Sequence, residues 1–131
     1  MKILFLDDDE VRHTTAQQET IGLDVTFVRT VPEAIKALSE TVFDLALLDH
    51  DLGGKTYVPS EHEDTGAAVA RAIAQMPLER RPARVYIHSY NMAGAHAMVS
   101  TLREAATRAL WIPFGPLLFK ATKEYADAHV S

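Results

Sequence analysis

The chain contains no cysteine, which excludes disulfides and any metal site built on thiolates. It also lacks an excess of positive charge, with 13 Lys and Arg against 18 Asp and Glu and a formal net charge of −5. That balance offers no broad basic footprint, so strong nonspecific nucleic-acid binding is not expected. A small phosphate-bearing ligand stays open, because a bound metal can supply the missing positive charge. No apolar run approaches the roughly 20 residues that span a bilayer. The opening MKILFL is too short for the apolar segment of a signal peptide and stops in acid. No membrane association is expected, and a cytoplasmic location is. With 47% hydrophobic and 24% charged residues, the 131-residue chain has the composition of one globular domain, residues 1–131.

What is present is organised around FDLALLDHDLGG, Phe43 to Gly54. A continuous apolar run closed by turn residues reads as a strand buried on both faces, as in a parallel sheet covered by helices. Ligands of such sheets bind beyond the carboxyl ends of the strands. Asp49, His50 and Asp51 stand at that end. The plain alternative is that they cap the strand and solvate a loop.

KILFL, Lys2 to Leu6, predicts a first buried strand, followed by the four acids Asp7, Asp8, Asp9 and Glu10. Adjacent carboxylates repel one another unless something positive lies between them, so a cation site is one reading. Acids also favour a helix N-terminus. Both are expected here, with Asp7 and Asp8 in the site and Asp9 and Glu10 opening a helix over about 10–20. That helix is poorly patterned, since only Val11, Ala16 and Ile21 are clearly apolar. Arg12 could reach an anion from it, although arginines so placed are ordinarily solvated.

DVTFV at 24–28 predicts strand two, and Thr30-Val-Pro-Glu33 a capping box opening a helix with Val31, Ala34, Ile35 and Leu38 on one face. After strand three, residues 50–64 form a loop of about fifteen residues, a length typical of lids and binding loops. It carries Lys55, Tyr57, Glu61, His62, Glu63 and Asp64, and its 53–64 portion is expected to be mobile until a ligand orders it. Gly54-Lys55-Thr56 is not the end of a P-loop, because Asp49 stands where the first glycine belongs.

Asp64 or Thr65 is placed to cap a helix with Val69, Ala72, Ile73 and Met76 on one face, ended by Pro77. RVYIH at 84–88 predicts strand four, running into Ser89-Tyr90-Asn91. Asn91 can cap a helix whose face is Ala95, Met98 or Val99, Leu102 and Ala106. A fifth strand is expected over 109–112, before Pro113-Phe114-Gly115, and a closing helix over 117–129. Strands alternating with helices throughout indicate an α/β domain with helices on both faces of a parallel sheet.

These motifs together resemble the receiver domain of response regulators. LDDDE resembles the receivers' acidic pair after strand one, and LALLD their run ending in the phosphate-accepting aspartate, here Asp49. Ser89 falls at their hydroxyl after strand four, and Ile112-Pro113-Phe114 at their Lys-Pro-Phe. The resemblance covers nearly the whole chain. It implies a single-domain flavodoxin-like (CheY-like) three-layer sandwich, with a five-stranded parallel sheet of order 2-1-3-4-5. Ile112 departs from it, removing the cation that couples phosphorylation to output, and His50, Asp51, His88 and Asn91 are additions. With Thr65-Gly66, these additions are similar to the divergent receivers that process cyclic phosphates.

What that resemblance implies is a metal-dependent phosphoesterase acting on a cyclic nucleotide or an RNA 2′,3′-cyclic phosphate end. Asp7, Asp8, Asp49 and Asp51 would hold a divalent metal. Mg²⁺ or Mn²⁺ suits all-oxygen ligands, while His50 as a ligand would move the preference toward Mn²⁺, Fe²⁺ or Zn²⁺. His50, His88, Asp49 and Ser89 would carry the chemistry, with a histidine handling the proton. Ser89, Asn91 and Thr65 would bind substrate. His88 as a hydrogen-bonded strand-end histidine, and Asn91 as a plain helix cap, are the structural alternatives. A noncatalytic receiver-like binding module and an ordinary phosphoaccepting regulator are the competing functions. A haloacid-dehalogenase-type phosphatase, prompted by Asp7-x-Asp9, would need a downstream lysine and acidic pair that WIPFG does not offer.

Overall fold

The computed structural model describes residues 1–52 and 65–129. Strands and helices alternate along it: β1 (Lys2–Leu6), α1 (Glu10–Glu19), β2 (Asp24–Val28), α2 (Val31–Glu40), β3 (Leu45–Leu48), α3 (Gly66–Gln75), β4 (Arg84–Ile87), α4 (Met92–Glu104), β5 (Arg108–Trp111) and α5 (Pro116–Ala128). All pairings are parallel, in the order β2-β1-β3-β4-β5. No helix among the described residues is long and apolar enough to cross a membrane.

The pleat divides the core in two. Leu4 and Leu6, Ala46 and Leu48, Val85 and Ile87 point to one side, where they pack with Ala34 and Leu38 of α2, Val69 and Ile73 of α3, and Met98 and Leu102 of α4. Ile3 and Phe5, Leu45 and Leu47, and Tyr86 point to the other, with Ala16 of α1 and Leu118 and Phe119 of α5. Successive residues face opposite sides of a strand, so strands covered on both faces must be apolar throughout. That is why β1 and β3 read as unbroken apolar runs.

The helix starts follow their caps. Thr30 Oγ1 accepts from the Glu33 N–H at 3.3 Å, and Glu33 Oε1 accepts from the Arg29 N–H at 3.3 Å, so the return bond of the expected box goes to the residue before the cap. Asp9 caps α1, and Asn91 caps α4 by accepting from the Gly94 N–H at 3.0 Å. Thr65 precedes α3 but its side chain makes no capping bond. Ala106 is not on the α4 face: it follows the helix at φ 66°, turning the chain into β5. The weak apolar pattern of α1 has a structural reason. Val11 and Ile21 are exposed, and the inward positions are His13, Ala16 and, just past the helix, Thr20.

Two glycines let α3 and α4 approach the end of β3. A Cβ on Gly66 would collide with the Asp49 carbonyl, and the Gly66 N–H donates to the His50 carbonyl at 2.7 Å. A Cβ on Gly94 would lie 2.5 Å from the His50 ring. The loop expected to close over a ligand, 53–64, lies outside the described residues, and so does Asp64 as a candidate cap.

Gly94→Ala should therefore destabilise the protein by about 1–3 kcal/mol in urea denaturation, the usual cost of overpacking. In a His50→Ala background the same substitution should cost almost nothing, because the obstructing ring is gone. Equal costs in both backgrounds would show that the ring is not the obstacle.

Candidate functional site

The strand ladder continues one residue past the carboxyl ends. The Asp7 N–H donates to Val28 O at 3.2 Å, Asp49 N–H to Leu6 O at 3.0 Å, and His88 N–H to Leu48 O at 2.9 Å. Since Leu6 pairs with Leu48 and Leu48 with Ile87, the residues that follow, Asp7, Asp49 and His88, come abreast of one another. Pleat parity sends these three to the α1–α5 side, with Phe5, Leu47 and Tyr86. It sends His50 to the other side, under α4.

Asp7, Asp8 and Asp49 form the cluster at this edge. Each offers a carboxylate oxygen within 4.8 Å of the others'. Asp7 is fully buried and Asp49 nearly so, while Asp8 is partly exposed. Asp7 Oδ1 accepts from the Asp9 N–H at 2.8 Å, and Asp49 Oδ1 from the His50 N–H at 2.8 Å. The other oxygens face Arg12, whose Nη1 lies 3.3 Å from Asp7 Oδ2 and 3.7 Å from Asp49 Oδ2.

Burial pushes the Asp7 carboxyl above its ordinary range, against the Asp9 N–H and Arg12, which pull it down. Burial together with the neighbouring Asp7 charge pushes Asp49 up to about 7. Burial works against the charge on Arg12, but Asp7 and Asp49 outweigh it and raise its pKa. Three carboxylates less one guanidinium leave a formal −2 when all are ionised, which one divalent cation would neutralise. The all-oxygen donor set fits a hard ion.

The histidines divide among different tasks. His13 Nε2 donates to the Asp7 carbonyl at 2.6 Å and so pins the backbone of the first acid. His88 is fully buried, stacked on Phe5 with ring centroids 5.3 Å apart and interplanar angle 8°. Its Nδ1 lies 3.7 Å from Asp7 Oδ2, and neither ring nitrogen has a hydrogen-bond partner among the described residues. Burial, helped by the Arg12 charge, pushes its pKa down to about 3, so it is neutral at physiological pH. His50 is also fully buried, and its Nδ1 donates to Asp51 Oδ1 at 2.8 Å.

Asn91 joins that second group. Its Nδ2 donates to Asp51 Oδ1 at 3.2 Å while its Oδ1 caps α4. Asp51, expected among the metal-facing acids, is outside the carboxylate trio and engaged with His50 and Asn91. Ser89 is buried, and its Oγ accepts from the Asn91 N–H at 3.0 Å. Thr65 is buried at the entry to α3. Ile112 packs with Phe114 against the α1–α5 core, so no cation comes from that position. A cavity of about 430 Å³ lined by Arg84, Arg103 and Arg108 opens at the amino-terminal end of β4 and β5, away from the acids.

Sequence reasoning undervalued Arg12 and passed over His13. The signal was available in spacing: Asp9 caps α1, so Arg12 falls in its first turn beside the acids and His13 turns inward.

Among solved structures, a CheY-like receiver domain protein from Methanospirillum hungatei JF-1 superposes with TM-score 0.65 at 20% identity, covering 97% of this chain and 94% of its own. A CheY-like receiver domain from Methylobacillus flagellatus gives 0.68 at 14% identity, covering 98% and 97%. The Mn²⁺-bound form of the response regulator Rcp1 gives 0.66 at 20% identity, covering 99% and 96%. No curated protein matches the chain. Residues 2–104 match the model of the cyclic-phosphate processing receiver domain, and with the receiver fold around a carboxylate crevice the chain belongs to that family.

Proposed function

We propose that the crevice is a metal-dependent phosphoesterase site for cyclic phosphates, whether a cyclic nucleotide or the 2′,3′-cyclic phosphate end of an RNA. The observation that carries this reading is the convergence of Asp7, Asp8 and Asp49 on one point, in a chain matched by a family named for cyclic-phosphate processing. Mg²⁺ or Mn²⁺ suits the three carboxylates better than Fe²⁺ or Zn²⁺, since His50 is turned to the far side of the sheet. The Mn²⁺-bound form of the similar Rcp1 supports the same choice. When bound, the ion polarises a phosphoryl oxygen and makes water nucleophilic at neutral pH.

The chain's own residues do the rest. Asp7, Asp8 and Asp49 hold the ion. Ser89 Oγ accepts from Asn91 and keeps its own proton to donate to a phosphate oxygen. Thr65 contributes at the mouth of α3. His88, neutral and stacked on Phe5, packs beside Asp7 without a hydrogen bond to it, and His50 with Asn91 positions Asp51. Ring opening adds water across one P–O bond: hydroxide goes to phosphorus, and the proton that the water gives up to solvent is matched by the one that the tethered leaving oxygen takes from it. The burial of both histidines favours a second reading, a noncatalytic module that binds the same anion.

Purified protein with Mg²⁺ or Mn²⁺ is expected to open 2′,3′- or 3′,5′-cyclic nucleotides or a cyclic-phosphate RNA end. Asp7→Asn and Asp49→Asn should each reduce turnover by about 10²-fold or more. Acetyl phosphate should leave no durable acyl phosphate on Asp49. Binding of these ligands without turnover would establish the noncatalytic reading, and a durable Asp49 acyl phosphate the phosphoaccepting one.

The high Asp49 pKa fixes a pH dependence. In the metal-free protein, folded Asp49 keeps its proton up to about pH 7, whereas an unfolded aspartate releases it near pH 4. Stability therefore falls as pH rises across that interval. At pH 8, Asp49→Asn should be more stable than wild type by up to about 4 kcal/mol. Metal needs the ionised form, so its apparent affinity should climb by up to about tenfold per pH unit below pH 7 and level off above. Denaturation and metal titrations that are flat between pH 5 and pH 7 would sink this assignment.

A further inference from the structure

Among the described residues, Arg12 is the one lysine or arginine within ion-pair distance of Asp7 or Asp49. Its side chain is 22% exposed where theirs are 0% and 6%. It therefore covers the carboxylates from the solvent side and lies at the mouth of the crevice. Its guanidinium carbon sits 4.9 Å from the Tyr90 ring centroid and 5.2 Å from that of Phe114. Tyr90 is itself tied down, its hydroxyl donating to the Phe114 carbonyl at 2.6 Å. Arg12 thus rests on an aromatic platform that does not depend on the acids.

We propose that Arg12 is the anion-binding group of this crevice and that, in the metal-free protein, it serves as the resident cation of Asp7 and Asp49. Only part of the guanidinium is used by the acids. Its Nη1 makes both ion-pair contacts, and a guanidinium has five N–H donors in a planar fork suited to two phosphate oxygens. A divalent ion entering the trio supplies the charge that Arg12 supplied, and the two cations repel at this range. Arg12 is then released toward solvent while the aromatic platform keeps it over the site. An incoming phosphodiester monoanion meets a metal on its inner side and a guanidinium on its outer side. Metal binding in this way prepares the anion site, and specificity falls on a phosphate small enough to touch both. The identity of that anion as a cyclic phosphodiester rests on the function proposed above; the exchange of cations does not.

The experiment uses the full chain at pH 8, as wild type, Arg12→Ala and Arg12→Lys, with thermal unfolding recorded for each. Mn²⁺ alone is titrated first. Arg12→Ala should bind it about 5- to 10-fold more tightly than wild type, because the competing charge is gone. Inorganic phosphate is then titrated with Mn²⁺ saturating. Arg12→Ala should bind it at least about 10-fold more weakly, with Arg12→Lys between the two, since an ammonium keeps the charge and loses the fork. Unchanged or weaker Mn²⁺ binding by Arg12→Ala overturns the resident-cation proposal, and unchanged phosphate affinity overturns the anion-binding one. If both shifts occur while wild type opens no cyclic phosphate, the Arg12 assignment stands and the phosphoesterase reading falls. If wild type binds neither Mn²⁺ nor phosphate, both fall.

Discussion

Two carboxylates are held side by side out of water because the strands that carry them are paired in register. Leu6 lies opposite Leu48, so Asp7 and Asp49 follow as neighbours with no freedom to separate. Like charges so placed in a poorly solvated site raise one another's pKa and cost folding energy. Much of the surrounding structure compensates for that constraint. The Asp9 and His50 amides each donate to one carboxylate oxygen, and Arg12 spans the two remaining oxygens.

The same constraint explains the odd character of α1. A helix packed on a core ordinarily shows an apolar stripe, but here part of its inward surface is spent on the acids. His13 reaches the Asp7 carbonyl and makes an edge contact with Phe5 at 5.2 Å, while Arg12 covers the carboxylates. Ala16 provides the ordinary core contact. The exposed Val11 and Ile21 show that apolar content and inward direction are different properties.

On the other side of the sheet, a separate polar group joins the end of β3 to α4. His50, Asp51 and Asn91 form it, and Gly94 gives the imidazole its space. His50 and His88 are therefore not two arms of one acid–base pair, since the sheet lies between them. Each is buried on its own side. The crevice on the α1–α5 side is left to the carboxylates of Asp7, Asp8 and Asp49 and the partly exposed Arg12 guanidinium.

The sequence by itself determined the alternation of strands and helices, the caps at Thr30 and Asn91, the opening of α1 by the acids after β1, and the gathering of candidate site residues at the carboxyl edge. Those features depend on neighbours a few residues apart, or on the general rule that parallel strands share their functional end. Pleat parity was legible too in the runs KILFL and LALL, and it separates His50 from Asp49. Tertiary structure decided which acids meet, because that depends on register between strands more than forty residues apart, as at Leu6 and Leu48. It withdrew Asp51 from the trio and sealed His88 against Phe5, both through long-range packing. It also set the Arg12 guanidinium against Asp7 and Asp49. The reach of Arg12 to Asp7 follows from local spacing, whereas its reach to Asp49 depends on the register of β1 against β3, which no local pattern encodes.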